Sequence, residues 1–444
     1  MISINLNRIP ERMRFGGVLC LALVCTLSHS ATTFSSEPPI PLKKAVRSVS
    51  YQAKSSSRFN FNGEYGLWVQ IMDGEITVHW ITTPADSGFL SVLKDGHKLY
   101  DFTTPLSQAH AVTFKRPKFN SVVLRYGGQS NPDDRHVTSI YLKNKRTKAV
   151  FSKVDSIYVL GDIHGYFENL VKLLTVANLI DAELNWRGHR KHLVALGDLF
   201  DRGFDVTRTL WLLYKLERQA ERAGGKVHVL LGNHEIMTFV GDLRYLSGKE
   251  KLIATTHNTH YQNMFDVHHS LLGRWLASKP GILKMDKILL AHGGVTPVYT
   301  AFSVHSFNDI LNSYLNEDIF QYLFNDTLTF SAADSALIAN RQAFFFSSNS
   351  VFWHRGYVKS DTLQNDLRRV LKHFKSELHV VAHTPVKSIR ESYDGQLIAV
   401  DLQAPATEML LLVRNRKKKY QRFKFHPERG LEPLNPALPL LNQN

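Results

Sequence analysis

Three apolar runs in the middle of the chain, Ile157-Tyr158-Val159-Leu160, Leu193-Val194-Ala195-Leu196 and Val227-His228-Val229-Leu230-Leu231, each end in a polar block of related design. The blocks read Gly161-Asp162-Ile163-His164-Gly165, Gly197-Asp198-Leu199-Phe200-Asp201-Arg202-Gly203 and Gly232-Asn233-His234-Glu235. Near-continuous apolar runs are expected of strands buried on both faces, and such strands belong to parallel sheets covered by helices. Between the first two runs Phe167, Leu170, Leu173, Leu174 and Ala177 recur at helical spacing. Between the next two, Thr209-Leu210-Trp211-Leu212-Leu213-Tyr214 leads a charged segment that stops at Gly224-Gly225. Asp162 and Asp198 are 36 residues apart, and Asp198 and Asn233 are 35 apart, as βαβ units require. Each block is therefore predicted to emerge at the carboxyl end of a parallel strand, where α/β sheets hold their ligands.

Two later runs repeat the device. Ile288-Leu289-Leu290-Ala291 ends in His292-Gly293-Gly294, and His379-Val380-Val381-Ala382 ends in His383-Thr384-Pro385. Asp162, His164, Asp198, Asn233, His292 and His383 thus become candidates for one site. Carboxylate, imidazole and amide oxygen are donors that borderline divalent ions such as Mn, Fe and Zn accept, and the glycines let the backbone turn sharply beside them. The stretch 236–280 carries no such run and is predicted to be largely helical, a wall or lid over the site. His257, His260, His268 and His269 within it read as ordinary helix-surface histidines.

The chain begins differently. Arg8, Arg12 and Arg14 lead into the apolar run Phe15 to Leu27, and Ser28-His29-Ser30 offers a small-x-small cleavage site, the pattern of a secretory signal peptide over residues 1–30. The run is shorter than the ~20 residues of a spanning helix, so no stable membrane anchor is expected after cleavage. Both cysteines, Cys20 and Cys25, lie inside this segment. The mature protein is then free of cysteine, which excludes a disulfide scaffold, a thiolate nucleophile and thiolate metal ligands. An exported, oxidising compartment, periplasmic or extracellular, suits such a chain. Residues 31–57, rich in Ser, Thr, Pro and Lys, read as a linker.

From 58 to 150 the pattern turns to short alternating runs. Leu67 to Ile71 and Ile76 to Thr82 flank Asp73-Gly74, a strong hairpin signal. With runs at 88–92, 99–102, 112–114, 122–126 and 138–142 the total approaches the ~7 strands of a small fibronectin-like β-sandwich, with Trp68 and Trp80 as core residues. An α/β domain follows over 151–403, and a basic hairpin with an extended tail over 404–444. The formal charge is +15. Removing residues 1–30 takes away Arg8, Arg12, Arg14 and Glu11 and leaves about +13. Much of the excess sits in Arg414, Arg416, Lys417, Lys418, Lys419, Arg422 and Lys424; in an exported protein it reads as a solvated basic hairpin, and no nucleic acid partner is expected.

The motifs and their order resemble the phosphoprotein phosphatase family of metallophosphoesterases. Within it, Gly232-Asn233-His234-Glu235-Ile236-Met237 followed by Gly241-Asp242-Leu243-Arg244-Tyr245-Leu246 resembles the Shewanella-like protein phosphatases. The likeness covers about Ile157 to Asp401 and implies a calcineurin-like αββα sandwich behind the small β-sandwich. It also implies two divalent ions, Mn, Fe or Zn. Asp162 and His164 would hold the first, Asp198 would bridge both, and Asn233, His292 and His383 would complete the second. Water activated between two cations attacks phosphorus directly, so no phosphoenzyme is needed. By the same likeness His234 protonates the leaving oxygen, Asp201 orients it, and Arg202 and Arg355 grip the phosphoryl oxygens. Ala382-His383-Thr384-Pro385 lacks the Gly-His-x-His pair of nucleotidases, and Asp201 stands where purple acid phosphatases carry Tyr. The implied activity is hydrolysis of phosphomonoesters on a phosphorylated protein or peptide, phosphotyrosine ahead of phosphoserine and phosphothreonine, by a monomer. A dinucleoside polyphosphate hydrolase or other small-molecule phosphoesterase is the enzymatic alternative, and a phosphopartner-binding pseudophosphatase the non-enzymatic one.

Overall fold

The structure, a computed structural model, describes residues 66–131, 135–143, 147–324 and 330–434. The predicted signal peptide with Cys20 and Cys25, the linker 31–57 and the tail beyond 434 lie outside the described residues.

The N-terminal domain is β-rich, as the alternation predicts, but its seven apolar runs lie in five strands. These are β1 (Trp68–Met72), β2 (Glu75–Lys94), β3 (His97–Lys115), β4 (Ser121–Gly128) and β5 (Arg135–Tyr141). They form one antiparallel sheet in which β2 pairs with β3 along its length, with β1 near its start and with β4 near its end. The seven-strand, fibronectin-like count is thus corrected. Two runs fuse into β2 and two into β3, because the chain does not reverse between them: pairing breaks at an irregularity after Ile81–Ala109 and resumes at Asp86–Ser107. The reversals are at Asp73-Gly74 and Asp95-Gly96, where both residues take positive φ as tight hairpin turns require. Trp80, Leu90, Val92, Leu124, Tyr126 and Ile140 fill the core, and Trp68 is also buried.

The chain continues through β6 (Val150–Phe151), β7 (Ser156–Leu160), α1 (Phe167–Val176), β8 (His192–Ala195), α2 (Val206–Arg222) and β9 (Lys226–Val229). The segment 236–280 is largely helical, as predicted, with α3 (Asn233–Phe239), α4 (Gly248–Thr256) and α5 (Leu271–Ala277). Then come β10 (Ile282–Met285), β11 (Ile288–Ala291), α6 (Val304–Leu315), α7 (Ala332–Phe346), α8 (Gly356–Lys359), α9 (Gln364–His373) and β12 (Leu378–Val381). The last strands are β13 (Arg390–Ser392), β14 (Leu397–Ala399), β15 (Met409–Arg414), β16 (Tyr420–His426) and β17 (Gly430–Pro433).

These strands form two six-stranded sheets, one ordered β9-β8-β7-β15-β16-β17 and the other β6-β10-β11-β12-β14-β13. The pairs β7–β8, β8–β9, β11–β12 and β12–β14 are parallel. Ile157 and Val159 of β7 pack between the sheets with Leu283, Leu290, Val380 and Ile398, while Tyr158 and Leu160 join the core under α1 and α2. On the far side of the second sheet, Val381, Leu397 and Ala399 pack with Tyr357, Leu367 and Leu371 of α8 and α9. The central strands of both sheets are therefore buried on both faces, which is why they are apolar at successive positions, and the layers run αββα.

The two domains share a hydrogen-bonded seam. Trp211 Nε1 donates to Leu67 O at 3.0 Å, and Tyr141 N donates to the Tyr214 hydroxyl at 2.8 Å. Ile71 N donates to His269 O at 2.7 Å. His257 belongs to this seam, against its predicted place on a helix surface. Its Nε2 lies 2.6 Å from Gly66 O and its ring packs near Trp68 and His79. His260, His268 and His269 are exposed, as predicted, but they lie in loops and turns and not on helix surfaces. The basic hairpin is built into the first sheet, since β15 lies antiparallel beside β7. Arg422 pairs with Glu391 at 2.8 Å and the Tyr420 hydroxyl donates to Asp286, while Arg416, Lys417, Lys418 and Lys419 stay exposed at the turn.

Candidate metal centre

The loops after β7, β8, β9, β11 and β12 converge, and close backbone approach sets their spacing. Gly197 takes φ 100°, and a Cβ there would stand 2.4 Å from Gly232 N. A Cβ on Gly232 would stand 2.3 Å from Asp198 Oδ1. Either side chain would force the second and third blocks apart. The Asp198 carbonyl accepts from Ile163 N at 3.0 Å and His164 N at 2.8 Å, which locks the first block to the second. His164, Asp198, Asp201, Arg202 and His383 all have φ between 49° and 69°. Five non-glycine residues in the left-handed region within one site mark a backbone held by its surroundings for a purpose.

All six predicted ligands lie in this cluster and all are buried. His164 Nε2 is 3.7 Å from Asp162 Oδ2 and 3.9 Å from Asp198 Oδ2. His292 Nε2 is 3.2 Å from Asp198 Oδ1 and 3.0 Å from Asn233 Oδ1. Donor atoms of Asp198, His292 and His383 fall within 4.8 Å of one another, as do those of His164, Asp198 and His234. Asp198 is common to both groups. The outer ring nitrogens are already engaged: His164 Nδ1 lies 2.7 Å from Phe200 O and His292 Nδ1 2.8 Å from Leu196 O. Such carbonyls fix the tautomer that leaves Nε2 for a metal.

The donor set fits divalent cations on two independent grounds. His164 Nε2, His383 Nε2 and Asp401 Oδ2 are buried without a hydrogen-bond partner, a costly condition that a coordinated ion relieves. Electrostatics agree. Burial, then the Asp162 and Asp198 carboxylates, push the Asp401 carboxyl up to about 9. Burial opposes charge on His292, yet Asp198 and Asp162 still push it up to about 9. Clustered carboxylates thus favour positive charge at their centre. Burial, then His292 and Arg355, hold His383 well below the ordinary histidine value, so it offers a neutral imidazole.

His234 differs from the other histidines. Its Nδ1 is 2.6 Å from Asp201 Oδ2, while Nε2 faces Asp198 Oδ2 at 3.7 Å. Burial lowers its pKa, but Asp198 and Asp201 outweigh that and raise it. Arg202 is exposed, and Arg355 Nη1 donates to His383 O at 2.7 Å. Arg202 opposes the charge on both His234 and Arg355, so the two guanidinium groups and the imidazole share one field.

Two buried carboxylates of this centre escaped sequence reasoning. Glu235 is fully buried and accepts from Asp198 N at 2.9 Å, Leu199 N at 2.7 Å and Gly232 N at 2.6 Å. Its signal was the Glu at the third position of a helix that starts with a ligand. Asp401 follows Leu397-Ile398-Ala399-Val400, the same apolar run ending in a polar residue that marks the other blocks.

Comparison with known proteins agrees with this geometry. A family model described as calcineurin-like phosphoesterase matches residues 156–387, just over half of the chain. Shewanella-like protein phosphatase 2 of Arabidopsis thaliana is 38% identical over 122 residues, covering 26% of this chain and 31% of its own. Shewanella-like protein phosphatase 1 of Plasmodium berghei is 29% identical over 196 residues, covering 41% and 53%. The chain thus spans only a third to a half of these relatives. The crystal structure of the cold-active protein-tyrosine phosphatase of a psychrophilic Shewanella superposes with a TM-score of 0.64 at 25% identity, covering 83% of this chain and 98% of that one.

Proposed function

The chain belongs to the calcineurin-like phosphoesterase family, and on that footing we propose that it is an exported, monomeric protein phosphatase. In this reading it hydrolyses phosphomonoesters on proteins or peptides with two divalent cations, Mn, Fe or Zn, and favours phosphotyrosine. The observation that carries it is Asp198 shared by two donor groups, one with His292 and His383 and one with His164 and His234, with His234 also paired to Asp201 at 2.6 Å. The likeness to the cold-active protein-tyrosine phosphatase of Shewanella supports the preferred residue.

Asp162, His164 and Asp198 would hold one cation, and Asp198, Asn233, His292 and His383 the other. When bound, the pair supplies Lewis acidity and lowers the pKa of water enough for attack on phosphorus near neutral pH. Arg202 and Arg355 bind the phosphoryl oxygens, a task the guanidinium fork suits. His234 carries the proton. Asp198 and Asp201 favour its charged form, so Nε2 delivers a proton to the departing oxygen while Nδ1–H stays on Asp201.

The deciding experiment strips metal from the protein, restores Mn, Fe or Zn, and assays phosphotyrosine peptide, phosphoserine peptide and diadenosine tetraphosphate in parallel. Metal-dependent turnover of the phosphopeptides is expected. No turnover of any substrate would sink the enzymatic reading, and preference for the dinucleotide would sink the protein phosphatase. Export rests on the pattern of residues 1–30. Mass spectrometry of the native protein tests it, and a chain beginning at Met1 would refute it.

A further inference from the structure

The turn after α3, Gly241-Asp242-Leu243-Arg244-Tyr245-Leu246, takes no part in the chemistry above, yet Tyr245 is held against two of its actors. Its ring centroid lies 5.5 Å from that of His234, with 47° between the planes. Its carbonyl accepts from Arg202 N at 3.1 Å. One residue therefore touches both the proton donor and the backbone of a phosphate clamp. Its neighbours restrain it further. The Arg244 guanidinium lies 5.8 Å from the ring centroid and is itself fixed by Asp242, with Nη2 to Oδ2 at 2.5 Å and Nε to Oδ1 at 2.9 Å. Even so, 49% of Tyr245 remains exposed.

The chemistry says what approaches that exposed surface. The proton from His234 goes to the departing oxygen, so whatever is bonded to that oxygen must lie beside His234, and hence near Tyr245. In an aryl phosphate that group is a flat ring. In phosphoserine it is one methylene and then backbone. Aromatic rings with centroids about 4.5 to 7 Å apart attract each other beyond simple burial, and a methylene has no comparable partner in a phenol ring.

We propose that Tyr245 is a specificity-determining residue that packs on the departing ring of an aryl phosphate, phosphotyrosine within a peptide. The inference rests on the phosphomonoesterase reading and on His234 as proton donor. It converts a preference drawn from likeness into a contact this chain can be tested for.

The test compares wild type, Tyr245→Phe and Tyr245→Leu, each restored with metal, on matched phosphotyrosine and phosphoserine peptides. The ratio of the two kcat/KM values is expected to fall roughly three- to tenfold in Tyr245→Leu and to be kept in Tyr245→Phe. A purely structural role would lower both rates together, so an unchanged ratio in Tyr245→Leu overturns the proposal whatever the absolute rates. Calorimetric titration with phenylphosphonate and methylphosphonate separates this failure from failure of the phosphatase reading. An enzyme inactive on both peptides refutes the function, while tighter binding of the phenyl compound, lost in Tyr245→Leu, still upholds the aryl contact. Equal binding of the two compounds by wild type overturns it.

Discussion

Replacing Glu235 tests whether the centre is held together from beneath. This carboxylate takes its hydrogen bonds from backbone: its Oε2 accepts from Asp198 N and Gly232 N, and its Oε1 from Leu199 N. Glu235→Ala would leave three buried donors without an acceptor, at about 1–3 kcal/mol each. Two effects reduce the sum: burial and the nearby Asp198 charge already raise the Glu235 pKa, and coupled losses do not add. A net loss of about 3–5 kcal/mol is therefore expected, against a total near 5–15 kcal/mol for a domain. Glu235→Gln can keep its amide oxygen at the Oε2 position and so preserve two bonds. Its amide nitrogen then faces the Leu199 N–H, for a loss of about 1–3 kcal/mol. Urea melts followed in parallel with metal analysis provide the assay, and the alanine variant should also bind metal less well because the Asp198 loop is released. A Glu235→Ala protein within about 0.5 kcal/mol of wild type, with both metals retained, would refute the reasoning.

Asp198→Ala should abolish turnover and metal occupancy together, whereas His234→Ala should slow turnover yet keep both metals; metal loss in the second variant, measured by elemental analysis, would reassign His234 from proton donor to ligand. Glu250 is buried, its carboxylate accepting from Thr207 N and Thr207 Oγ1 at 3.0 and 2.6 Å, and burial pushes its pKa up to about 7. The folded state therefore binds this proton more tightly than the unfolded state, so stability from it is present below about pH 4.5 and drains away as pH rises to about 7. Thermal melts across that range should lose about 3 kcal/mol from this group, and Glu250→Gln should flatten that part of the profile; an unaltered slope would contradict the assignment. Tyr214→Phe removes the acceptor for Tyr141 N across the domain seam and should cost about 1–2 kcal/mol in urea melts, while a neutral effect would mean that water replaces the hydroxyl.

The α/β half was legible because its strands are buried on both faces and end in residues whose chemistry is unusual at a strand end. Apolar runs, helical spacing and glycines all pointed one way, so sequence alone singled out Asp162, His164, Asp198, Asn233, His292 and His383, all of them buried in the structure. The β-domain was less legible. Asp86 and Ser107 interrupt the alternation as turns would, but β2 and β3 resume their pairing there after an irregularity, and that pairing is set across strands and not by local pattern. Glu235 was missed for a different reason. It was named within a block, but its task is to accept backbone N–H groups from two blocks, and no sequence pattern reports which amides converge on a carboxylate. His257 was misplaced because its partners, Gly66, Trp68 and His79, lie almost two hundred positions earlier, in another domain.

The antiparallel pairing of β15 with β7 bears on how the chain is made as well as how it stands. β7 is the first strand of its own sheet, and the strand that closes its second edge appears roughly 250 residues later, after the whole of the opposite sheet. During synthesis Ile157 to Leu160 must therefore wait with one row of amides and carbonyls unpaired, an invitation to wrong partners. Neither sheet can be completed before the other begins. Metal capture should accordingly be a late event, and a chain truncated before Met409 should keep every predicted ligand yet be prone to aggregation instead of assembling a working centre.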